Sequence, residues 1–342
     1  VKLEVTHQTD PKEWEGLIER FSGSIFLRPE CLAVHEEGYL PCYFKFYDDH
    51  QEVTGIAFGA LFHSGRRLLG RFIRSLYLPT MPVTDQKGQA PLGRMIEKIT
   101  EYGRREKVIS ITVGSFYADV AYEGFESLGF KKRSRWEFLL DLQAPEGEIW
   151  DRLDAHHKRY IKYAEKRGLI LQEDNSPKGL QRLMELQENA TKRIQERGGN
   201  DRPSSLRQYQ SIQSLILDKG LGSIFLAVRD GQAHSALLVA AHRQKAYLIY
   251  SGTSPEGYQL RSSVFLFWNA AMTLKKRGIS EWNLGGTPWE AQSETSDSHG
   301  LFTFKERFGA KKILCFTGEM TRVNQLRSTV IDLMRVLAAW KN

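Results

Sequence analysis

A chain of 342 residues exceeds the usual span of one domain, so two units of similar size are expected. Apolar residues make up 41% and charged residues 26%, which excludes a disordered or fibrous chain, and the longest apolar runs (Ala236 to Ala241, Val264 to Trp268) are too short to cross a bilayer. The net charge of +7 favours anionic partners: nucleic acid, anionic lipid headgroups or a phosphorylated substrate.

Trp14, Leu17 and Ile18 recur at helical spacing and predict a short helix over Pro11 to Arg20. Tyr43 to Tyr47 and Glu52 to Phe62 form an antiparallel pair across the polar turn Asp48-Asp49-His50, and Arg71 to Leu76 adds a strand. A Pro-, Gly- and Gln-containing loop from Leu78 to Pro91 leads to a helix from Leu92 to Arg105. A strand at Val108 to Val113, a helix at Ala118 to Leu128 and a strand at Trp136 to Leu142 complete the first half. Pro145 and Gly147 mark the domain boundary, giving units 1–145 and 146–342.

Helices follow at Glu146 to Leu153 and His157 to Arg167, then a strand at Leu169 to Glu173 and a long helix at Lys178 to Arg197. Gly198, Gly199 and Pro203 separate it from a helix at Leu206 to Lys219. Gly222 to Val228 and Ala233 to Ala241 flank Asp230-Gly231, a pair suited to the positive dihedrals of a tight hairpin turn. Strands at Lys245 to Ser251, Glu281 to Leu284 and Ile313 to Gly318 alternate with helices at Tyr258 to Arg277 and Gln325 to Trp340. Both halves give one order: helix, antiparallel strands, helix, strand, helix, strand. The fold class is therefore mixed α/β, with two similar units.

The basic residues cluster: Arg66, Arg67, Arg71 and Arg74; Lys131, Lys132, Arg133 and Arg135; Lys158, Arg159, Lys162, Lys166 and Arg167 in one helix. A solvated face is the usual reading of such a cluster. Tyr250 through Ser263 runs from a strand end into a helix start, with Gln259, Arg261 and Ser262 at the turn. It reads either as an anion seat built from helix N–H groups and Arg261, or as an ordinary turn capped by Ser254 or Thr253. The helix face from Val264 to Met272 is core, with Trp268 and Asn269 held as candidate linings. Asn283-Leu284-Gly285-Gly286 ends a strand in two glycines, where backbone can approach a ligand closely. The loop from Gln292 to Ser298 is either a solvated loop or a lid. In Gly300 to Gly309, Lys305 and Arg307 sit among four large apolar side chains. There Lys305 either snorkels to solvent from a core strand or meets an anionic ligand. His156-His157, His234 and His242 lack the spacing of a zinc site, and no Walker A, dinucleotide fingerprint or nucleophile elbow is present. Three cysteines at no metal-like spacing, and no leader-like series after Val1, give cytoplasm as the expected location.

Three stretches resemble the Fem family of peptidoglycan-bridge aminoacyltransferases, which are tandem GNAT-type acyltransferases. His157 through Gly168 is similar to the family's basic helix with its Ala-Glu-Lys-x-Gly ending, Tyr250 through Gly286 to its strand, long helix and Gly-Gly strand, and Phe304-Lys305-Glu306-Arg307-Phe308-Gly309 to its Phe-Lys-x-x-Phe-Gly signature. The resemblance implies two tandem GNAT-like domains, each a mostly antiparallel mixed sheet flanked by helices. It implies transfer of an acyl or aminoacyl group to an amine of a peptidoglycan-precursor-like or glycan-linked acceptor. Lys305 would stabilise the developing negative charge, and Arg159 and Arg261 would contact phosphate. Tyr250, Gln259, Ser262, Trp268, Asn283, Gly285, Gly286, Phe304 and Arg307 would complete the substrate site. The helices around Lys178 to Lys219 are shorter than the coiled-coil arm of aminoacyl-tRNA users. Gln259 to Ser263 lacks the spaced glycines of a CoA phosphate loop. The donor, aminoacyl-tRNA or acyl-CoA, stays open, with no resident cofactor or metal. The acceptor is an anionic small or lipid-linked substrate, compatible with peripheral contact at the inner face of the membrane. The rival reading is a non-catalytic basic module for nucleic acid or anionic lipid.

Overall fold

A computed structural model describes residues 2–34, 39–63, 74–86, 88–114, 121–196, 205–321 and 323. The predicted helix from Gln325 to Trp340, the cluster residues Arg66, Arg67 and Arg71, and the Gly198-Gly199 and Pro203 break lie outside them. The chain divides into two compact units: Val1–Pro29, Glu37–Arg135 and Leu314–Asn342 form one, Glu30–Glu36 and Trp136–Ile313 the other.

In the first unit the order is β1 (Lys2–Thr6), α1 (Pro11–Arg20), β2 (Tyr39–Tyr47), β3 (Val53–His63), β4 (Arg74–Leu78), β5 (Val83–Thr84), α2 (Gln89–Arg105) and β6 (Ser110–Val113). α1 begins as its sequence dictates: the Asp10 side chain accepts from the Lys12 N–H, Pro11 fills the first helical position, and Trp14 and Ile18 face inward. The β2–β3 hairpin turns on Asp48, whose Oδ1 accepts from the N–H groups of His50 and Glu52 at 2.9 Å each. α2 packs Leu92, Met95, Ile96 and Ile99 into a core with Phe44, Phe46, Ala57, Leu61 and Ile111. Residues 121–128 are not the predicted α-helix; a 3₁₀ turn at Glu126–Leu128 ends on left-handed Gly129, and Gly124 further weakens helical continuity in so short a segment.

β7 (Lys131–Asp141) begins in the first unit and passes at Trp136 into the second, which then comprises α3 (Glu146–Arg152), α4 (Ala155–Lys166), β8 (Ile170–Glu173), α5 (Pro177–Glu196), α6 (Leu206–Ile212), β9 (Gly222–Arg229), β10 (Gln232–His242), β11 (Lys245–Thr253), α7 (Pro255–Gln259), α8 (Ser262–Lys276), β12 (Glu281–Pro288) and α9 (His299–Glu306). The last strand, β13 (Lys311–Thr321), pairs antiparallel with β6 from Gly318↔Val113 to Thr321↔Ser110. The first unit's sheet runs β1-β2-β3-β4-β6-β13 with β5 beside β3, and the second unit's runs β7-β12-β11-β10-β9-β8. The β9–β10 hairpin turns at Asp230 (φ 53°) and Gly231 (φ 77°), the two left-handed residues that its sequence predicts.

Two local departures bear on function. The predicted helix from Tyr258 to Arg277 is two helices, because Arg261 takes a left-handed conformation (φ 59°, ψ 27°) between α7 and α8. The stretch before β13 carries the helix α9, where one sequence reading places a core strand. Phe302 and Lys305 are its buried residues, three apart and so on one face. Of the basic cluster on β7, three members have internal partners: Lys132 pairs with Glu126, Arg133 with Glu319, and Arg135 donates to the Gly114 carbonyl and Thr317 Oγ1. Among the described residues no helix is long and apolar enough to cross a membrane.

Candidate active site

The site begins where two parallel strands part. β11 and β12 are joined over three pairs only, Lys245↔Glu281 to Tyr247↔Asn283, although β11 continues to Thr253 and β12 to Pro288. Beyond Asn283 the two strands no longer pair with each other, and ligands favour the carboxyl ends of parallel strands at such an opening. There β12 bends: Gly285 has φ 80°, and its N–H donates to Asn283 Oδ1 at 2.7 Å. Asn283, 4% exposed, donates from Nδ2 to Glu137 Oε2 at 2.5 Å, and Glu137 on β7 is itself only 3% exposed. A buried carboxylate thus holds the amide that shapes the glycine bend.

The bend receives Lys305. Its side chain is 5% exposed and donates from Nζ to the Gly286 carbonyl at 2.9 Å. Of the two alternatives for Lys305, the snorkel from a core strand is not what forms: α9 turns the side chain inward, and its amine ends on backbone. Burial pushes this ammonium down to about 7, against the pull of the Glu137 carboxylate. A Cβ on Gly285 would lie 3.3 Å from Nζ. With one N–H on Gly286, an ammonium keeps two donors for a ligand.

Neighbouring helices fix α9. His157 on α4 is buried, and its Nε2 lies 3.0 Å from the Phe304 carbonyl while its ring packs edge-on against Phe308. A carbonyl only accepts, so Nε2 carries the proton; Nδ1 is then buried with no hydrogen-bond partner among the described residues. Burial lowers this imidazole to about 4, the Phe304 carbonyl opposing it, so it is neutral at physiological pH. Phe304 also packs against Phe267 and Phe308. Arg307 ends α9 and lies 3.9 Å from Asp154, whose N–H donates to the Arg307 carbonyl at 2.9 Å. Gly309 is left-handed (φ 70°), and a Cβ there would stand 2.7 Å from the Arg152 carbonyl oxygen. Each apolar or glycine position of the Phe-Lys-x-x-Phe-Gly run therefore has a packing reason.

A second group forms on α4 and the start of α8. Arg159 and Arg261 both approach the Tyr160 ring, with guanidinium carbons 5.5 and 4.5 Å from its centroid. The two arginines singled out from sequence therefore share one aromatic support. Arg159, Lys162, Lys166 and Arg261 are exposed and form no ion pair among the described residues. The hydroxyls of the turn bond to one another instead of standing open. Ser262 Oγ meets Ser235 Oγ at 2.5 Å and donates to the Gly257 carbonyl, Thr253 meets Ser263 at 2.9 Å, and Ser254 caps α7. Gln259 is exposed at the end of α7, and half-buried Tyr250 packs near Tyr209 on the β10–β11 side. Trp268 is core, edge-on to Trp150 at 5.0 Å, and Asn269 bonds back to the Phe265 carbonyl.

The structure thus unites Lys305, Gly286, Gly285 and Asn283, and separately Arg159 and Arg261; Ser262 and Trp268 are absorbed in packing. Sequence reasoning missed Glu137, His157 and Tyr160 as parts of these groups. For Glu137 a signal existed: one carboxylate directly before the apolar run Phe138-Leu139-Leu140 of a strand. His157 and Tyr160 had none beyond their helical spacing.

Residues 152–296 match the acetyltransferase (GNAT) domain family. No curated protein matches the chain in sequence. The chain is similar in structure to FemX, with TM-score 0.73 and 14% identity over 96% of this chain and 99% of that one. It is similar to a tandem GNAT protein from the clavulanic acid biosynthesis pathway (0.58, 12% identity, 94% and 99% covered). A third similar structure is the C-terminal domain of a putative lysylphosphatidylglycerol synthetase from Agrobacterium fabrum (0.56, 16% identity, 94% and 96% covered). The domain match over residues 152–296 supports an acyltransferase with a GNAT-type domain. The chain has the fold of tandem GNAT proteins, and is Fem-like in that fold.

Proposed function

We propose that the protein transfers an acyl or aminoacyl group from an activated donor to the amine of a peptidoglycan-precursor-like or other glycan-linked acceptor, with Lys305 as the cation that meets the developing oxyanion. The observation that carries this reading is the buried Lys305 amine at the glycine bend of β12, where the β11–β12 ladder has ended. In acyl transfer to an amine, negative charge appears on the carbonyl oxygen as the tetrahedral intermediate forms. A preorganised donor in a water-poor setting stabilises that charge far better than solvent does. The attacking amine must also lose a proton, and no side chain of the site is assigned that task. Arg159 and Arg261 on Tyr160 suit phosphate groups of donor or acceptor. The Fem-like fold and the envelope-related names among its structural relatives support the acceptor class.

A thermal-shift comparison of charged aminoacyl-tRNA, acetyl-CoA and a UDP-linked muramyl peptide tests the reading, with Lys305→Ala and Arg261→Ala as controls. A ligand that binds only the folded state raises its apparent stability by mass action. Stabilisation by one donor and by the muramyl peptide, weakened in Arg261→Ala, is the expected result, with transfer lost in Lys305→Ala. Equal, salt-sensitive shifts with every polyanion would replace the transferase by a basic binding module.

A further inference from the structure

The carboxylate of Glu137 is absent from the sequence-level site, and the proposed transfer assigns it no step. It is 3% exposed on β7, a position that carboxylates occupy only when held by donors. Its Oε2 accepts from Asn283 Nδ2 at 2.5 Å, Asn283 Oδ1 accepts from the Gly285 N–H at 2.7 Å, and the carbonyl of the following residue, Gly286, accepts from Lys305 Nζ at 2.9 Å. One continuous path therefore runs from a buried anion, through an amide and a glycine bend, to a buried cation. We propose that Glu137 is a positioning residue for Lys305: it locks Asn283 and the Gly285-Gly286 bend so that the Gly286 carbonyl meets Nζ, and it supplies the negative charge that keeps this amine an ammonium. The role assigned to Lys305 in the proposed transfer underlies the catalytic half of this inference.

Among the described residues, the surroundings leave Glu137 as the source of that charge. Burial lowers Lys305 toward neutrality, and the Glu137 carboxylate is the group that raises it. On α4, Asp154 is engaged with His156 and Arg307, and His157 is buried and directed at the Phe304 carbonyl. On α9 itself, Glu306 pairs with Lys312, and His299 Nδ1 lies 3.1 Å from the Ala291 carbonyl oxygen. An amine this deeply buried, without an anion nearby, would be largely neutral at physiological pH and of little use to an oxyanion.

The test is an NMR titration of the lysine side-chain amines in the full chain, with the Lys305 signal assigned by its loss in Lys305→Ala. Glu137→Gln keeps an oxygen for the Asn283 amide but removes the charge. In this variant the Lys305 midpoint should fall by about one unit, as expected for loss of a nearby opposite charge. Glu137→Asp, which keeps the charge and retracts it by one methylene, should fall between the two and serves if the glutamine variant does not fold. An unchanged midpoint in either folded variant would overturn the proposal. In a transfer assay Glu137→Gln should lower kcat at pH 7 while leaving KM near the wild-type value. Retention of transfer by Lys305→Ala would remove the catalytic reading alone, since the midpoint shift is measured without substrate.

Discussion

At the scale of single residues the site has a thermodynamic cost that pH should expose. Folding lowers the Lys305 amine from 10.5 to about 7. At about 1.4 kcal/mol per unit, this is a penalty on the order of 5 kcal/mol whenever the group is charged. The unfolded chain holds the proton up to the ordinary lysine value while the folded chain releases it near 7. Stability should therefore rise with pH across that interval. Lys305→Met, similar in length and uncharged, should be the more stable protein at pH 7 and below, and its advantage should shrink by pH 10. Melting temperatures of both chains over that range check the prediction. As an ammonium acting on an oxyanion, Lys305 should also give a transfer rate that declines as pH rises through its midpoint; a rate that climbs there through loss of a Lys305 proton would make it the base instead. His157 acts at the other end of the scale. Folding lowers its imidazole from 6.5 to about 4, so the unfolded chain takes up the proton first. Stability should then fall as pH drops from 6.5 toward 4, by about 2 to 3 kcal/mol. His157→Gln should flatten that loss in an acid denaturation series, at some cost in packing against Phe308.

At the scale of elements, two glycines of the site differ in what a methyl group would meet, and this predicts different failures. Both are left-handed, which costs an alanine about 1 kcal/mol at either position. A Cβ on Gly309 also meets Arg152 backbone at 2.7 Å, whereas one on Gly285 meets only the Lys305 amine at 3.3 Å. Gly309→Ala should lose about 2 kcal/mol or more of stability by denaturant unfolding. Gly285→Ala should lose closer to 1 kcal/mol, but its transfer rate should fall more than that of any folded Gly309 variant because the amine is displaced. The same elements show what a sequence reveals. The Asp230-Gly231 hairpin and α1 were legible because turn chemistry and capping are local, involving residues a few positions apart. The inward turn of Lys305 was not, since it depends on α9 packing its Phe302 side into the core that Phe138 and Phe267 help to form. The break at Arg261 was equally hidden: an arginine has no intrinsic preference for the left-handed region, and here its side chain approaches Tyr160 on another helix. Glu137 and Asn283 stand 146 positions apart in sequence, so no local pattern could join them.

At the scale of the whole molecule, the net charge of +7 is unevenly deployed. Two of the four basic residues of the β7 cluster pair with Glu126 and Glu319, whereas Arg159, Lys162 and Lys166 on α4, with Arg261, project to solvent without ion pairs among the described residues. On α4 the buried residues are His157, Ile161 and Ala164, so one face fixes α9 through the Phe304 carbonyl while the other presents charge. A polyanionic substrate would feel this outer face during approach, and its capture should weaken as salt shortens the reach of the field to about 8 Å at physiological ionic strength. Reversing two of these charges, Lys162→Glu with Lys166→Glu, leaves the buried face of α4 untouched and should leave the fold intact. With the donor selected by the thermal-shift panel, the double variant should lose about tenfold or more in kcat/KM at low salt and show a flatter salt dependence. Its kcat should change little, because neither lysine belongs to the Lys305 group. A large fall in kcat with an unchanged salt slope would mean that this face orients the reacting groups, and would move α4's outer surface from encounter into the chemistry itself.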